Sequence, residues 1–192
     1  MKLIIIGFFI LLIHNVAFSQ NEKAKKKMAD AAVEMFTWDL MKSEKGTLMV
    51  LDVPFLRDGH KKEEYLTLSV AKDTGKARPT FISVIVPNNI VQSNGIFISF
   101  ANTIKTRDGM RSMEMQKDKP VRLLFESCNK EDCTGRIMEG YANQENDTTK
   151  VDIFQKLLDF DHVLFLIIYS DKTHKSIAVP LSFFKEQYKT LK

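Results

Sequence analysis

The feature that most constrains the fold is a repeated alternation of apolar and polar side chains with a period of two. Residues 65–70 (YLTLSV) show this alternation, which is typical of a strand that buries one face. Similar runs occupy residues 47–53, 81–86 and 95–100. The chain is therefore expected to form a series of short strands.

Turn-forming residues separate these runs. Asp58-Gly59 and Asp108-Gly109 tolerate the positive φ that tight turns require. Pro79 and Pro87 bracket the third run, as expected because proline is best tolerated at strand ends. Short strands with turn signals between them predict a mainly β fold, either an antiparallel β-sandwich or a partly open barrel.

The second half of the chain departs from this pattern in two places. Residues 149–152 have the form of a capping box, and apolar residues follow at helical spacing, so a short helix is predicted at about residues 150–160. Ser182 is expected to cap a second helix at about residues 183–191. Between them, residues 163–169 are apolar on both faces and need cover from an opposing sheet and from a helix or partner. The preceding helix is the expected cover.

The first nineteen residues resemble a secretory signal. A basic start is followed by an apolar run and then by the small residues Ala17 and Ser19, which predict cleavage after Ser19. The alternative, a membrane anchor, needs about 20 apolar residues, and this run is shorter. We expect a basic leader at 20–36 and a single β domain at 37–192, not a transmembrane protein after cleavage.

Charge narrows the range of partners. Without the signal the net charge is +3, because Lys2 is its only charged residue, and this is too mild to predict nucleic-acid binding. Lys25, Lys26 and Lys27 are adjacent in the leader. They predict either a weak contact with an anionic surface or a solvated, short helical segment.

The two cysteines, Cys128 and Cys133, lie between two strand-like runs. An exported chain with two cysteines and none left over favours one disulfide over metal ligands. A redox-active pair usually has C-x-x-C spacing at a helix start, whereas this spacing is C-x4-C. The pair is therefore expected to close a hairpin whose polar tip, Asn129, Lys130, Glu131 and Asp132, is the predicted interaction surface.

The sequence contains no G-x-S-x-G, H-E-x-x-H or P-loop motif that would indicate catalysis. Asp159, Asp161 and His162 form an acid–histidine cluster that could supply a base and its orienter, or two metal ligands. A charged boundary between two elements is the alternative, and it is the interpretation we favour.

Three methionines lie close together at positions 110, 113 and 115. Thioether clusters can bind cuprous copper, but Met113 and Met115 are two positions apart, as core-facing strand residues would be. Core packing is the expectation.

The order of these segments resembles the invasion-associated locus B family of exported Gram-negative bacterial proteins. The resemblance rests on residues 86–100 (VPNNIVQSNGIFISF), 119–133, 150–158 and 176–188, and it covers Trp38 to the C-terminus. The positions that match the family pattern are Trp38, Pro87, Gly95, Cys128, Cys133 and Phe184. Asp132 and Thr134 stand where family members often have glycine and a small apolar residue, and the family's frequent second cysteine pair is absent.

The resemblance implies an exported β-rich protein with a role in host-cell invasion or in the cell envelope. The predicted function is a non-catalytic binding module for a protein or glycan, located in the periplasm, at the outer membrane or outside the cell. No cofactor is expected. The alternative is a periplasmic protein that handles copper or zinc, or a cryptic hydrolase.

Overall fold

The alternating runs form antiparallel strands in the computed structural model, which describes residues 36–143 and 150–191. The predicted signal at 1–19 and almost all of the leader, including Lys25, Lys26 and Lys27, lie outside the described residues. The strands are β1 (Asp39–Ser43), β2 (Gly46–Leu56), β3 (Glu63–Asp73), β4 (Phe81–Pro87), β5 (Ile96–Lys105), β6 (Arg111–Met115), β7 (Val121–Leu123), β8 (Phe125–Cys128), β9 (Asp132–Met138), β10 (Tyr141–Asn143), β11 (Lys150–Asp152), β12 (His162–Ile168) and β13 (His174–Pro180). The helices are α1 (Ile153–Asp159) and α2 (Ser182–Thr190), and a 3-10 turn spans Gln92–Asn94.

These strands form two large sheets and one small one. The six-stranded sheet has the order β1-β2-β3-β4-β9-β8, and the second has the order β13-β12-β5-β6, with β7 also paired to β5. Strands β10 and β11 form a separate pair. The prediction of a mainly β fold of the sandwich or partly open barrel type is confirmed.

The core comes from the alternating positions that the sequence marks as apolar. In β3 and β4 the buried residues include Leu66, Leu68, Ile82 and Val84, which lie on one face of each strand because side chains alternate across a sheet. Trp38 also belongs to the core, since only 2% of its surface is exposed. Its ring packs 5.3 Å from that of Phe184 on α2.

Both predicted helices are present, but their caps differ from expectation. Residues Lys150–Asp152 form strand β11, so α1 begins at Ile153. Its N-cap is Asp152, whose side chain accepts the Gln155 N–H at 2.8 Å. Ser182 is the first residue of α2 and not its cap; the N-cap is Leu181, which makes no side-chain capping bond.

The strand-like run that ends at Cys128 is not a single strand, because the segment from Val121 to Cys128 contains both β7 and β8. Strand β7 pairs with β5 in the second sheet, whereas β8 pairs with β9 in the six-stranded sheet. The chain changes sheets at Leu124, which is exposed. Gly135 on β9 leaves room for this crossover, because a Cβ there would lie 2.8 Å from Leu123 Cγ.

The expected cover over the second face of β12 is not provided by α1. Leu164, Leu166 and Ile168 remain half-buried, while the alternate residues of the strand are buried. Helix α1 has only seven residues, and Phe154 packs against Tyr188 of α2 at a ring distance of 4.8 Å. Phe154 of α1 therefore faces the other helix.

The expected core packing of the three methionines is also wrong. Met110, Met113 and Met115 are all exposed. They lie on and beside β6, an edge strand in which every residue is exposed. Alternation predicted the strand correctly, but it could not show that this strand extends beyond the core.

Candidate functional site

The disulfide hairpin is formed by β8 and β9. Cys128 and Cys133 are directly opposite each other in the register and are joined by a disulfide bond, as predicted. Cys128 is exposed and Cys133 is buried. The bond therefore links the outer strand to the strand that packs in the core.

The tip of this hairpin has a defined conformation. The Asn129 side-chain oxygen accepts the backbone N–H groups of Glu131 at 2.7 Å and Asp132 at 2.8 Å. The Asn129 N–H donates to the Asp132 carbonyl at 2.8 Å. Asn129 thus organises the tip as an Asx-type turn, while Lys130 and Glu131 are exposed.

The tip also docks against the segment that follows β4. The backbone N–H of Asn88 donates to the Glu131 carbonyl at 2.8 Å, and the side-chain amide of Asn88 donates to the Asn129 carbonyl. The Asn88 side-chain oxygen in turn accepts a hydrogen bond from Gln92 Nε2 at 2.7 Å. These contacts fix the position of the tip relative to the six-stranded sheet.

A polar cleft of about 880 Å³ opens beside the tip. Its three walls are the approach to β3, the end of β4 with the following asparagines, and the tip itself. The lining residues are His60, Lys62, Glu63, Glu64, Tyr65, Pro87, Asn88, Asn89, Lys130, Glu131 and Asp132. Three of the four predicted surface residues, Lys130, Glu131 and Asp132, therefore line a concave site.

Glu64 connects the cleft to the core. Its carboxylate accepts the Tyr169 hydroxyl at 2.8 Å and the Asn89 amide at 3.1 Å. Tyr169 is fully buried, and burial followed by the hydrogen bond to Glu64 raises the pKa of its phenol. The phenol therefore stays protonated and donates to Glu64, which holds this carboxylate in one position.

Arg57 supports the same region from below. It is only 7% exposed, and its guanidinium lies 4.0 Å from the centre of the Tyr169 ring. It also pairs with Asp171 and donates to Thr173 Oγ1 at 3.2 Å. The Thr173 hydroxyl and N–H, together with Arg57, hold the pKa of Asp171 below its ordinary value. The network stabilises a buried cation through an aromatic face and a carboxylate.

The charged groups at the mouth of the cleft are less constrained. Within the described residues, Lys62, Lys130, Glu131 and Asp132 have no ion-pair partner. Positively and negatively charged groups thus surround the opening of the cleft, and the fixed carboxylate is that of Glu64. This arrangement suits a polar ligand with several hydrogen-bonding groups.

The acid–histidine cluster does not converge on a common point. Asp159 accepts a hydrogen bond from Gln155 within its own helix at 2.8 Å, and Asp161 accepts the backbone N–H of Thr103 at 2.9 Å. The Nδ1 atom of His162 is buried without a hydrogen-bond partner in the described part of the chain. Asp161 thus has a structural role at the start of the β5–β6 hairpin.

Residues 36–143 and 150–191 also contain no group of three or more His, Cys, Asp or Glu side chains placed to hold a metal ion. Within the same residues, no helix has the length and apolar character needed to cross a bilayer.

Sequence reasoning missed the supporting residues Arg57, Glu64 and Tyr169. Glu64 lies 105 positions from its partner Tyr169, and Arg57 lies 114 positions from its partner Asp171. No local sequence pattern joins residues so far apart. The Asn88-Asn89 pair did carry a signal, because two asparagines after a strand-ending proline are typical of a turn.

Comparisons with protein-family models, with curated proteins and with solved structures found no match for this chain. The resemblance to the invasion-associated locus B family therefore stays a prediction.

Proposed function

We propose that this chain is an exported, non-catalytic β module that binds a polar partner, either a protein segment or a glycan, in the cleft beside the disulfide hairpin. It acts in the periplasm, at the outer membrane or outside the cell, as the resemblance to the invasion-associated locus B family implies. The observation that carries the proposal is the fixed hairpin tip, which forms one wall of a large polar cleft.

Pre-organisation supports a binding role. A disulfide, the Asn129 turn and the Asn88 contacts hold the wall of the cleft in place before a ligand arrives. A rigid site loses less conformational entropy on binding than a flexible one. The charges of Lys62 and Lys130, which have no ion-pair partner in the described part of the chain, can then act on the ligand.

The chemistry around the cleft fits binding better than catalysis. The Glu64 carboxylate already accepts two hydrogen bonds, so it is held as a hydrogen-bond acceptor. The hydrolytic alternative loses support because Asp159 and Asp161 are engaged with Gln155 and Thr103.

Site-specific photo-crosslinking in the exporting cell tests the proposal. A photoreactive residue replaces Lys130 at the tip, and in a matched control it replaces Lys189, which is exposed on α2. The expected result is one discrete adduct from position 130 that is absent from position 189. The Lys62→Ala substitution on the opposite wall should weaken that adduct without lowering the melting temperature.

The partner identified from the adduct is then purified and titrated against the exported chain. Saturable binding that falls when Lys62 or Lys130 is replaced supports the proposal. The same set of adducts from both positions, with no saturable binding, would show that the cleft is not a recognition site.

A further inference from the structure

The β5–β6 hairpin extends beyond the core as a two-stranded ribbon, residues 102–115. In this ribbon every residue except Thr106 is exposed. Its base is fixed where Asp161 accepts the Thr103 N–H and Asn102 accepts the Asp161 N–H. At the other end, Gly109 has a φ of 81° in the connecting turn. Both faces of the ribbon therefore meet solvent.

The ribbon carries several large apolar side chains although it is exposed to solvent. Ile104, Met110, Met113 and Met115 are each between 38% and 64% exposed. Burying such side chains in an apolar phase is favourable, and unbranched methionines adapt to irregular or fluid surroundings. A group of exposed apolar side chains on a projecting element indicates an interaction site.

Positive charge lies on the same face as two of the methionines. In the register, Lys105 is directly opposite Arg111, and Thr103 is opposite Met113. Because alternate residues share a face, Lys105, Arg111, Met113 and Met115 all lie on one side of the ribbon. Like charges directly opposite each other destabilise a strand pair, and an anion placed between them would remove that repulsion.

The basic groups of the ribbon are also not neutralised by neighbours. Within the described residues, neither Lys105 nor Arg111 has an ion-pair partner, and the same is true of Arg107 in the turn. The carboxylate of Asp108 accepts a hydrogen bond from Thr106, and Glu114 lies on the opposite face because it pairs with Asn102. One face is thus basic and apolar together.

We propose that the ribbon docks on an anionic lipid bilayer. Lys105, Arg107 and Arg111 contact the lipid phosphates, while Met113 and Met115 enter the boundary between headgroups and acyl chains. This combination of basic and apolar groups is the one that interfacial membrane binding requires.

The shape of the ribbon favours a membrane over a protein partner. A stable protein interface takes about 800 Å² from each side. Two strands about 4.8 Å apart and about 17 Å long offer much less. A bilayer needs no matching surface, and its high density of anionic headgroups can satisfy several cations at once.

An environment-sensitive fluorophore placed on the ribbon tests this proposal. Met113→Cys is labelled with nitrobenzoxadiazole on the full chain, and Met138→Cys, on the exposed face of β9, is the matched control. Each is mixed with vesicles of phosphatidylglycerol and phosphatidylcholine, or of phosphatidylcholine alone. We expect a blue shift only for the Met113 label and only with the anionic vesicles.

Charge variants measure the electrostatic contribution to vesicle binding. Lys105→Gln combined with Arg111→Gln should lower the apparent vesicle affinity about 30-fold, which corresponds to two cations near an anionic surface. Lys42→Gln combined with Lys45→Gln, which removes two exposed lysines from the β1–β2 hairpin, should leave the vesicle affinity unchanged. Circular dichroism checks that each variant is folded.

Four results would overturn the proposal. The first is no blue shift at position 113, even if other parts of the chain bring the protein to the vesicle. The second is an equal shift at position 138, and the third is a vesicle affinity that the paired ribbon variant leaves unchanged. The fourth is a ribbon-dependent dimer in sedimentation without any vesicle effect, which would assign this face to a second copy of the chain.

Discussion

The two exposed hairpins of this protein are built in opposite ways. The tip between β8 and β9 is closed by a disulfide and bonded to Asn88, and it stands beside a polar cleft. The β5–β6 ribbon is held at its base by Asp161 and beyond that, among the described residues, only by hydrogen bonds within the ribbon itself. The first hairpin is thus fixed by bonds to other parts of the protein, whereas the described residues outside the ribbon bond the second only at its base.

The surfaces of the two hairpins also differ in their chemistry. The hairpin tip presents hydrogen-bonding and charged groups in defined positions, which favours recognition of a polar ligand of one shape. The ribbon presents exposed methionines beside a row of cations, which favours a broad anionic surface. The β8–β9 tip is therefore both fixed and polar. The β5–β6 ribbon has few outside bonds and exposes apolar side chains.

The largest expected difference concerns two glycines with positive φ. Gly95, with φ 66° and ψ −155°, precedes β5 beside the crossover into the disulfide hairpin, and a Cβ there would lie 2.2 Å from the Leu123 carbonyl oxygen. A Cβ at Gly109, in the ribbon turn, would meet no atom within 4 Å. Gly95→Ala should lower the free energy of unfolding by about 3 kcal/mol, and Gly109→Ala by about 1 kcal/mol.

Urea denaturation with an unchanged m-value measures both losses. Equal losses would contradict the comparison, because they would show that the crossover can move to accept a side chain.

The second prediction removes the disulfide. Cys128→Ser combined with Cys133→Ala should lower the free energy of unfolding by about 2 kcal/mol, since a short loop is no longer closed in the unfolded chain. Alanine is used at position 133 because that side chain is buried. The ribbon control is Thr106→Ala, which removes a bond to the Met110 carbonyl and should cost about 0.5 kcal/mol.

Thermal and urea unfolding under non-reducing conditions compare the two variants. If the disulfide variant loses no more stability than Thr106→Ala, the contacts of Asn88 hold the hairpin by themselves and the contrast between the two hairpins disappears.

The smallest expected effect is a difference in acid sensitivity. The pKa of Asp171, beneath the cleft, is lowered by bonds from Thr173 and by Arg57. The pKa of Asp108, in the ribbon turn, is lowered chiefly by the Thr106 hydroxyl. A lowered carboxyl pKa contributes stability above the unfolded value of about 3.9, and this is lost as the pH falls through the folded value.

Melting temperature is measured from about pH 6 down to about pH 3. Asp171→Asn should flatten the acid limb more than Asp108→Asn, because Asp171 also pairs with the distant Arg57, whereas the bonds of Asp108 stay within one turn. A larger effect from Asp108→Asn would reverse the assignment of the rigid region.

Local sequence patterns were sufficient to predict the main strands, the two helices and the disulfide hairpin that forms one wall of the cleft. Period-two alternation located the main strands, and helical spacing located α1 and α2 to within a few residues. The C-x4-C spacing and the predicted export of the chain together predicted the disulfide between Cys128 and Cys133. These features depend on neighbouring residues, so they can be recognised without knowing the fold.

The tertiary structure decided how those elements are combined. Alternation in residues 121–128 indicates which side chains share a face, but it does not show that the chain changes sheets at Leu124. The exposure of the ribbon methionines has the same cause, because a strand that runs past the core keeps the same alternation. Arg57, Glu64 and Tyr169 meet only because the ends of β2 and β12 lie near the start of β3. Contacts between residues more than 100 positions apart depend on sheet order, which no local pattern contains.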